Sequence, residues 1–112
     1  MSWRTGGSPG AVHHVALGDI GSTNDEAFRL AREGAPEVTL VTAVSQGAGR
    51  GRLGRGWTSP AGNFYGTFLL RPSRPLAQLP ELGFVTAVAA AETCRALLPP
   101  GHRVEIKWPN DL

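Results

Sequence analysis

Apolar residues recur along this chain in two rhythms, one of short alternating or continuous runs and one of helical spacing. His14–Ile20 reads as a short strand ended by Gly21. In Ser22-Thr23-Asn24-Asp25-Glu26, Thr23 with Glu26 forms a capping box, and Ser22 with Asp25 offers a second register. Ala27, Leu30 and Ala31 then supply an apolar stripe, closed by Gly34 and Pro36. Val38–Val44 is β-branched and apolar without interruption, which predicts a buried strand.

The second half repeats the pattern. Over Asn63–Leu70, Phe64, Gly66, Phe68 and Leu70 fall on one face of a predicted strand, and Tyr65, Thr67 and Leu69 on the other. Gly66, bare in mid-strand, predicts close approach by a ligand or another backbone. A proline-containing loop spans 71–80. Glu81–Leu98 predicts a helix apolar on most of its circumference and buried against a sheet, stopped by Pro99-Pro100-Gly101. Arg103–Trp108 alternates again, which predicts a strand broken by Pro109. The order strand, helix, strand, loop, strand, helix, strand predicts an α+β fold, a mixed β-sheet with helices packed on one face.

One segment follows neither rhythm. Residues 47–57 read Gly-Ala-Gly-Arg-Gly-Arg-Leu-Gly-Arg-Gly-Trp, with five glycines and three arginines in eleven residues. Glycine lets the backbone approach a ligand and present its N–H groups. Arg50, Arg52 and Arg55 bring planar guanidinium forks suited to phosphate and carboxylate. The segment lacks the Gly-Lys-Ser/Thr of a P-loop, and Trp57 and Pro60 oppose the helix that a dinucleotide fold requires. Three readings stay open on composition: a flexible anion clamp, a solvated loop that binds nothing, and an RNA-binding arginine–glycine segment.

Two shorter segments add chemistry. Lys107 stands at a predicted strand end just before Trp108-Pro109-Asn110-Asp111, which fixes the direction of its ammonium; the alternative is an edge lysine that discourages aggregation. Ser22, Thr23 and Asn24 place hydroxyls and free N–H groups at the positive end of a helix, where polar ligands bind. Gln46 adds an amide donor and acceptor ahead of the glycine–arginine run.

Composition narrows the class. At 112 residues, 41% apolar and 18% charged, the chain has room for one globular domain. A net charge of +2 makes the basic character local. The single cysteine, Cys94, excludes an internal disulfide and a cysteine-built zinc site, and its apolar setting predicts a buried, inert thiol. His13, His14 and His102 have no metal-ligand spacing. No signal peptide or membrane span is apparent, so cytoplasmic residence and no membrane partner are expected. Residues 1–13 are expected to form a flexible N-terminal segment.

Together, Ser22-Thr23-Asn24, the run from Gln46 to Trp57 and Lys107-Trp108-Pro109-Asn110-Asp111 resemble, in order and spacing, the catalytic module of biotin protein ligases (biotin–[acetyl-CoA-carboxylase] ligases). The resemblance runs from about Gly18 to Leu112. It implies a biotin/lipoyl protein ligase-like catalytic domain, partial over 14–112, with neither an N-terminal DNA-binding domain nor the C-terminal β-barrel domain. It implies that biotin and ATP, with Mg²⁺, give biotinyl-5′-AMP and pyrophosphate, and that biotin then passes to a lysine of a carboxylase biotin carboxyl-carrier domain. By the same resemblance, Ser22, Thr23, Asn24, Gln46, Arg50, Gly51, Arg52 and Lys107 would bind biotin. Gly49, Arg52, Arg55, Trp57 and Asn110 would bind the nucleotide. Lys107 and Arg52 would be catalytic, and no residue is assigned as a metal ligand. A homodimer through exposed sheet edges is expected, and no nucleic-acid partner. The competing readings are a lipoate or octanoate ligase, an arginine–glycine nucleic-acid module, and an inactive fragment that acts only by binding.

Overall fold

The computed structural model describes residues 11–73 and 75–107, with Arg52 described by its backbone. The chain divides into two compact units, Met1–Arg71 and Pro72–Leu112. In the first, the strands are β1 (His13–Ala16), β2 (Asp19–Ile20), β3 (Thr39–Ala43), β4 (Ser45–Gln46) and β5 (Tyr65–Leu69). Helix α1 (Thr23–Arg32) lies between β2 and β3 in sequence. β3 is the centre of a sheet ordered β1-β3-β5, parallel to β1 and antiparallel to β5. β2 and β4 form a second, parallel pair. The expected mixed sheet is therefore present. The short strand expected over His14–Ile20 forms as two pieces, β1 and β2, on either side of Leu17 and Gly18, which still bond the neighbouring chain segment: the Leu17 N–H donates to Thr42, and the Gly18 carbonyl accepts from Val44.

The register explains which faces are buried. Val15 pairs with Val41 and Val41 with Thr67, so these residues share one face. α1 packs on that face through Ala27 and Leu30, which join Ala35 and Val41 in the core, flanked by Val15, Leu17 and Leu69. Leu30 and Val41 are fully buried, and each such side chain stabilises by roughly 1.5–3 kcal/mol. Thr39 is equally buried, and its hydroxyl donates to the Pro36 carbonyl at 2.7 Å.

Both ends of α1 are satisfied. Ser22, not Thr23, is the N-cap, its Oγ accepting from the Asn24 N–H at 3.2 Å, so the helix starts as in the second of the two expected registers. At the other end, the Gly34 N–H donates to Ala31 and the Ala35 N–H to Leu30, a Schellman closure. Arg71, just past β5, adds charge-assisted bonds to the Ala31 and Ala35 carbonyls at 2.7–3.1 Å.

Val38 holds a positive φ of 61°, which costs a β-branched residue about 1–3 kcal/mol. Its N–H donates to Leu69 and its carbonyl accepts from His13, so two strands hold it there.

Gly66 has a nearer cause than a ligand. A Cβ there would lie 2.5 Å from the ring of Phe64, which folds back over the bare strand position.

The second unit holds a short 3₁₀ turn (Leu76–Gln78) and helix α2 (Glu81–Leu97). One expectation fails here and another is met only in part. α2 is not a buried helix: Phe84, Val85, Val88 and Leu97 are exposed, and Ala91 alone among its described residues is buried. Apolar composition made the helix, but burial needs a facing surface, and composition does not provide one. Of the strand expected over Arg103–Trp108, residues 103–106 form no ladder, Lys107 stands in an isolated bridge, and Trp108 lies outside the described residues. Arg103 and Glu105 do share a side, joined at 3.0 Å, as in an extended chain. A strand also needs a ladder partner, which alternation alone does not supply. Cys94 is half-buried rather than buried. Among the described residues, no helix is long and apolar enough to cross a membrane.

Candidate functional site

The site is built around Gln46, at the end of β4. Its Oε1 accepts the N–H of Thr23, the first residue of α1, at 2.8 Å. Its Nε2 donates to Ser59 Oγ at 3.2 Å. One amide thus ties the amino end of a helix to the segment that follows the glycine–arginine run. Backbone bonds double the tie: the Gly47 N–H donates to Ile20, the Ala48 N–H to Gly21 and the Gln46 N–H to Ser59.

The run itself is a hairpin, not a loose loop. Arg50 bridges Gly56 in antiparallel fashion. The Trp57 N–H donates to Gly49 at 2.8 Å and the Gly51 N–H to Arg55 at 2.6 Å. A 3₁₀ turn over Arg52–Gly54 makes the tip, with Leu53 and Gly54 at positive φ. Gly49 is obligatory at the base. A Cβ there would stand 2.5 Å from Ser59 Oγ, 2.7 Å from the Trp57 carbonyl and 3.2 Å from Gln46 Nε2. The missing period in 47–57 therefore reflects a hairpin whose strands pair through glycines rather than through packed side chains.

Arg50 leaves the hairpin to grip the helix. Its two terminal nitrogens, Nη1 and Nη2, donate to Asp25 at 3.1 and 2.6 Å. The guanidinium holds the Asp25 carboxyl below its usual range, first by hydrogen bonding and then by charge. Asp25 consequently does not complete a capping box; it faces the hairpin.

A second polar chain leaves the same helix end. Thr67 on β5 donates to Asn24 Oδ1. Its Oγ1 lies 2.8 Å from Thr23 Oγ1, so the Thr23 hydroxyl supplies the proton of that bond. Among the described residues, the Ser22 hydroxyl proton, the Asn24 amide N–H groups and one Gln46 N–H donate to no protein acceptor. These are donors suited to a polar ring.

Two openings adjoin this network. A cavity of about 1040 Å³ is lined by residues of β2, β4 and the hairpin, among them Gln46, Gly49, Arg50, Trp57 and Ser59. A cleft of about 320 Å³ is lined by Asn24 and Thr67 at its polar end and by Phe28, Phe68 and Leu70.

The structure thus brings together Ser22, Thr23, Asn24, Gln46, Gly49, Arg50, Gly51 and Trp57. Arg55 is exposed on the returning arm of the hairpin, and Arg52 begins the tip. Lys107 is exposed on the second unit. Trp108 and Asn110 lie outside the described residues. Sequence reasoning missed Thr67 and Ser59 and read Asp25 only as a cap. Thr67 had one signal, its position on the inward face of β5. Ser59 had none, since its role is set by a pairing thirteen residues away from Gln46.

Known proteins resemble the chain over most of its length. The profile of the biotin/lipoate A/B protein ligase family matches residues 19–112. A bifunctional ligase/repressor BirA of Bacillus spizizenii is 45% identical over 101 residues, covering 89% of this chain and 30% of that protein. A biotin–[acetyl-CoA-carboxylase] ligase of Paracoccus denitrificans is 46% identical over 91 residues, covering 81% and 38%. The chain therefore spans about a third of the length of these curated relatives. Among solved structures, a biotin protein ligase of Leishmania major in complex with biotinyl-5-AMP superposes with a TM-score of 0.72 at 30% identity, over 92% of this chain and 47% of that one. A biotin protein ligase of Aquifex aeolicus in complex with biotin and ATP superposes with a TM-score of 0.61 at 35% identity, over 88% and 40%.

Proposed function

This chain belongs to the biotin/lipoate A/B protein ligase family, and from that premise we propose that it carries the biotin-recognising and adenylate-holding part of a biotin protein ligase. The observation that carries this reading is the Gln46 network, which sets the amino end of α1 and the glycine–arginine hairpin around one polar site.

In the proposed reaction, a biotin carboxylate oxygen bonds to the α-phosphorus of ATP, the bond to the β-phosphate oxygen breaks, and pyrophosphate leaves. A lysine amine of a carboxylase biotin carboxyl-carrier domain then attacks the acyl carbon, and AMP leaves. Ser22, Asn24 and Gln46 would present their open donors to the ureido ring, with Thr23 and Thr67 fixing Asn24. Gly49 and Gly51 let the hairpin backbone approach the carboxylate and phosphate, where Arg50 and Arg52 would balance charge. Arg55, Trp57 and Asn110 are assigned to the nucleotide and Lys107 to the carboxylate–phosphate junction by their motifs. Fixed donors around developing negative charge are a strong catalytic device, each worth about 3–4 kcal/mol. No cluster of three His, Cys, Asp or Glu side chains occurs among the described residues. Mg²⁺ would enter on the phosphates of ATP, its ordinary carrier.

Calorimetric titration of the chain with biotin, then with biotin and MgATP, tests the reading, with lipoate as the control. Biotin binding that tightens with MgATP is the expected result. Lipoate competing on equal terms would overturn the preference for biotin.

A further inference from the structure

We propose that Asp25 is a positioning residue, clamping Arg50 and so docking the 49–57 hairpin onto the amino end of α1. The argument starts from what else holds the hairpin. Its base is secured by backbone bonds and by the Gln46–Ser59 pair. At its base the Ser59 hydroxyl also donates to the Trp57 carbonyl, and the other described bonds run within the hairpin itself, from Gly51 to Arg55 and from Trp57 to Gly49. The described bond that reaches from its outer part to another element is Arg50 to Asp25.

The geometry of that bond suits positioning. Asp25 takes the two terminal nitrogens of the guanidinium, a bidentate grip that fixes the plane as well as the place of the group. Nε donates to no acceptor among the described residues. Arg50 also lines the large cavity. A clamped Arg50 thus keeps donors for an incoming carboxylate or phosphate while its rotamer is already chosen. The pair is about half exposed, with side-chain exposures of 45% and 54%, so its contribution is that of a surface ion pair, a factor of about 3–5 rather than of hundreds.

Amide hydrogen exchange on the intact chain tests the clamp directly. Asp25→Asn is expected to speed exchange about 3- to 5-fold at Gly51 and Trp57 and to leave Gln46, whose N–H bonds to Ser59 at the hairpin base, unchanged. Arg50→Gln should do the same, and the double variant should be no faster than either single one. Asp25→Glu, which keeps the charge, should restore most of the protection. Additive effects, or faster exchange in α1 but not in the hairpin, would overturn the proposal, since either would mean that Asp25 acts only on its own helix. The ligand consequence rests on the ligase reading: Asp25→Asn should weaken biotin binding by a similar factor, and equal or tighter binding would overturn the positioning role. Failure of the ligase reading looks different, because then neither the parent nor the variant binds biotin, and the exchange cycle alone decides the clamp.

Discussion

α1 and α2 are both helices with an apolar side, yet the shorter and less apolar one is the better buried. α1 spans ten residues and seals Leu30 and Ala27 against β3 and β5. It is capped by Ser22 at one end and by a Schellman turn and Arg71 at the other. α2 spans seventeen residues, has no side-chain cap at its start and leaves Phe84, Val85, Val88 and Leu97 exposed. Helix propensity and apolar content favour α2; position in the crossover from β1 to β3, which pair in parallel, favours α1. A helix between parallel neighbours must cross the sheet, so its packing partner is fixed by connectivity.

The sharpest break of this comparison is Leu30→Ala, which should destabilise the first unit by about 2–5 kcal/mol in urea denaturation. Val88→Ala in α2 removes exposed methyls and should stay within about 0.5 kcal/mol. Equal losses would mean that α2 is as well packed as α1. Gly49→Ala comes next. Its Cβ meets the Trp57 carbonyl at 2.7 Å, and a backbone cannot yield like a side-chain tip, so a loss of about 1–3 kcal/mol is expected. Biotin binding should fall with it, whereas a folded variant binding normally would remove the hairpin base from the site.

The smallest effect is that of pH. Arg50 lowers the Asp25 pKa in the folded chain. The contribution of the pair is therefore complete above the unfolded carboxylate range and is lost as pH falls through the lowered folded value. Glu26, the neighbouring acid, is engaged by Arg29 at 2.7 Å on the same helix. Hairpin protection, corrected for intrinsic exchange, should be flat from neutral pH down to about 4 and fall below it. A step near pH 6 would point to another group.

Much of this was legible beforehand because its signals are local. Thr23 with Glu26, or Ser22 with Asp25, marked a helix start, and the structure chose Ser22 as the cap; Gly34 and Pro36 marked its end. Alternation at 63–70 placed Tyr65, Thr67 and Leu69 on one face, and the register confirms it. The order of three motifs pointed to the family that the comparisons show. The hairpin was not legible, because its pairing runs through glycine backbones that carry no hydrophobic period.

The sequence by itself determined where both helices lie, which positions turn inward on β5 and α1, and which chemical groups are present. Tertiary structure decided their partners: Gln46 to Thr23 and Ser59, Thr67 to Asn24, Arg50 to Asp25, and the exposure of α2. The physical reason is range. Caps and periodicity act within a turn or two, whereas these contacts join residues 13 to 43 positions apart, which only chain topology brings together.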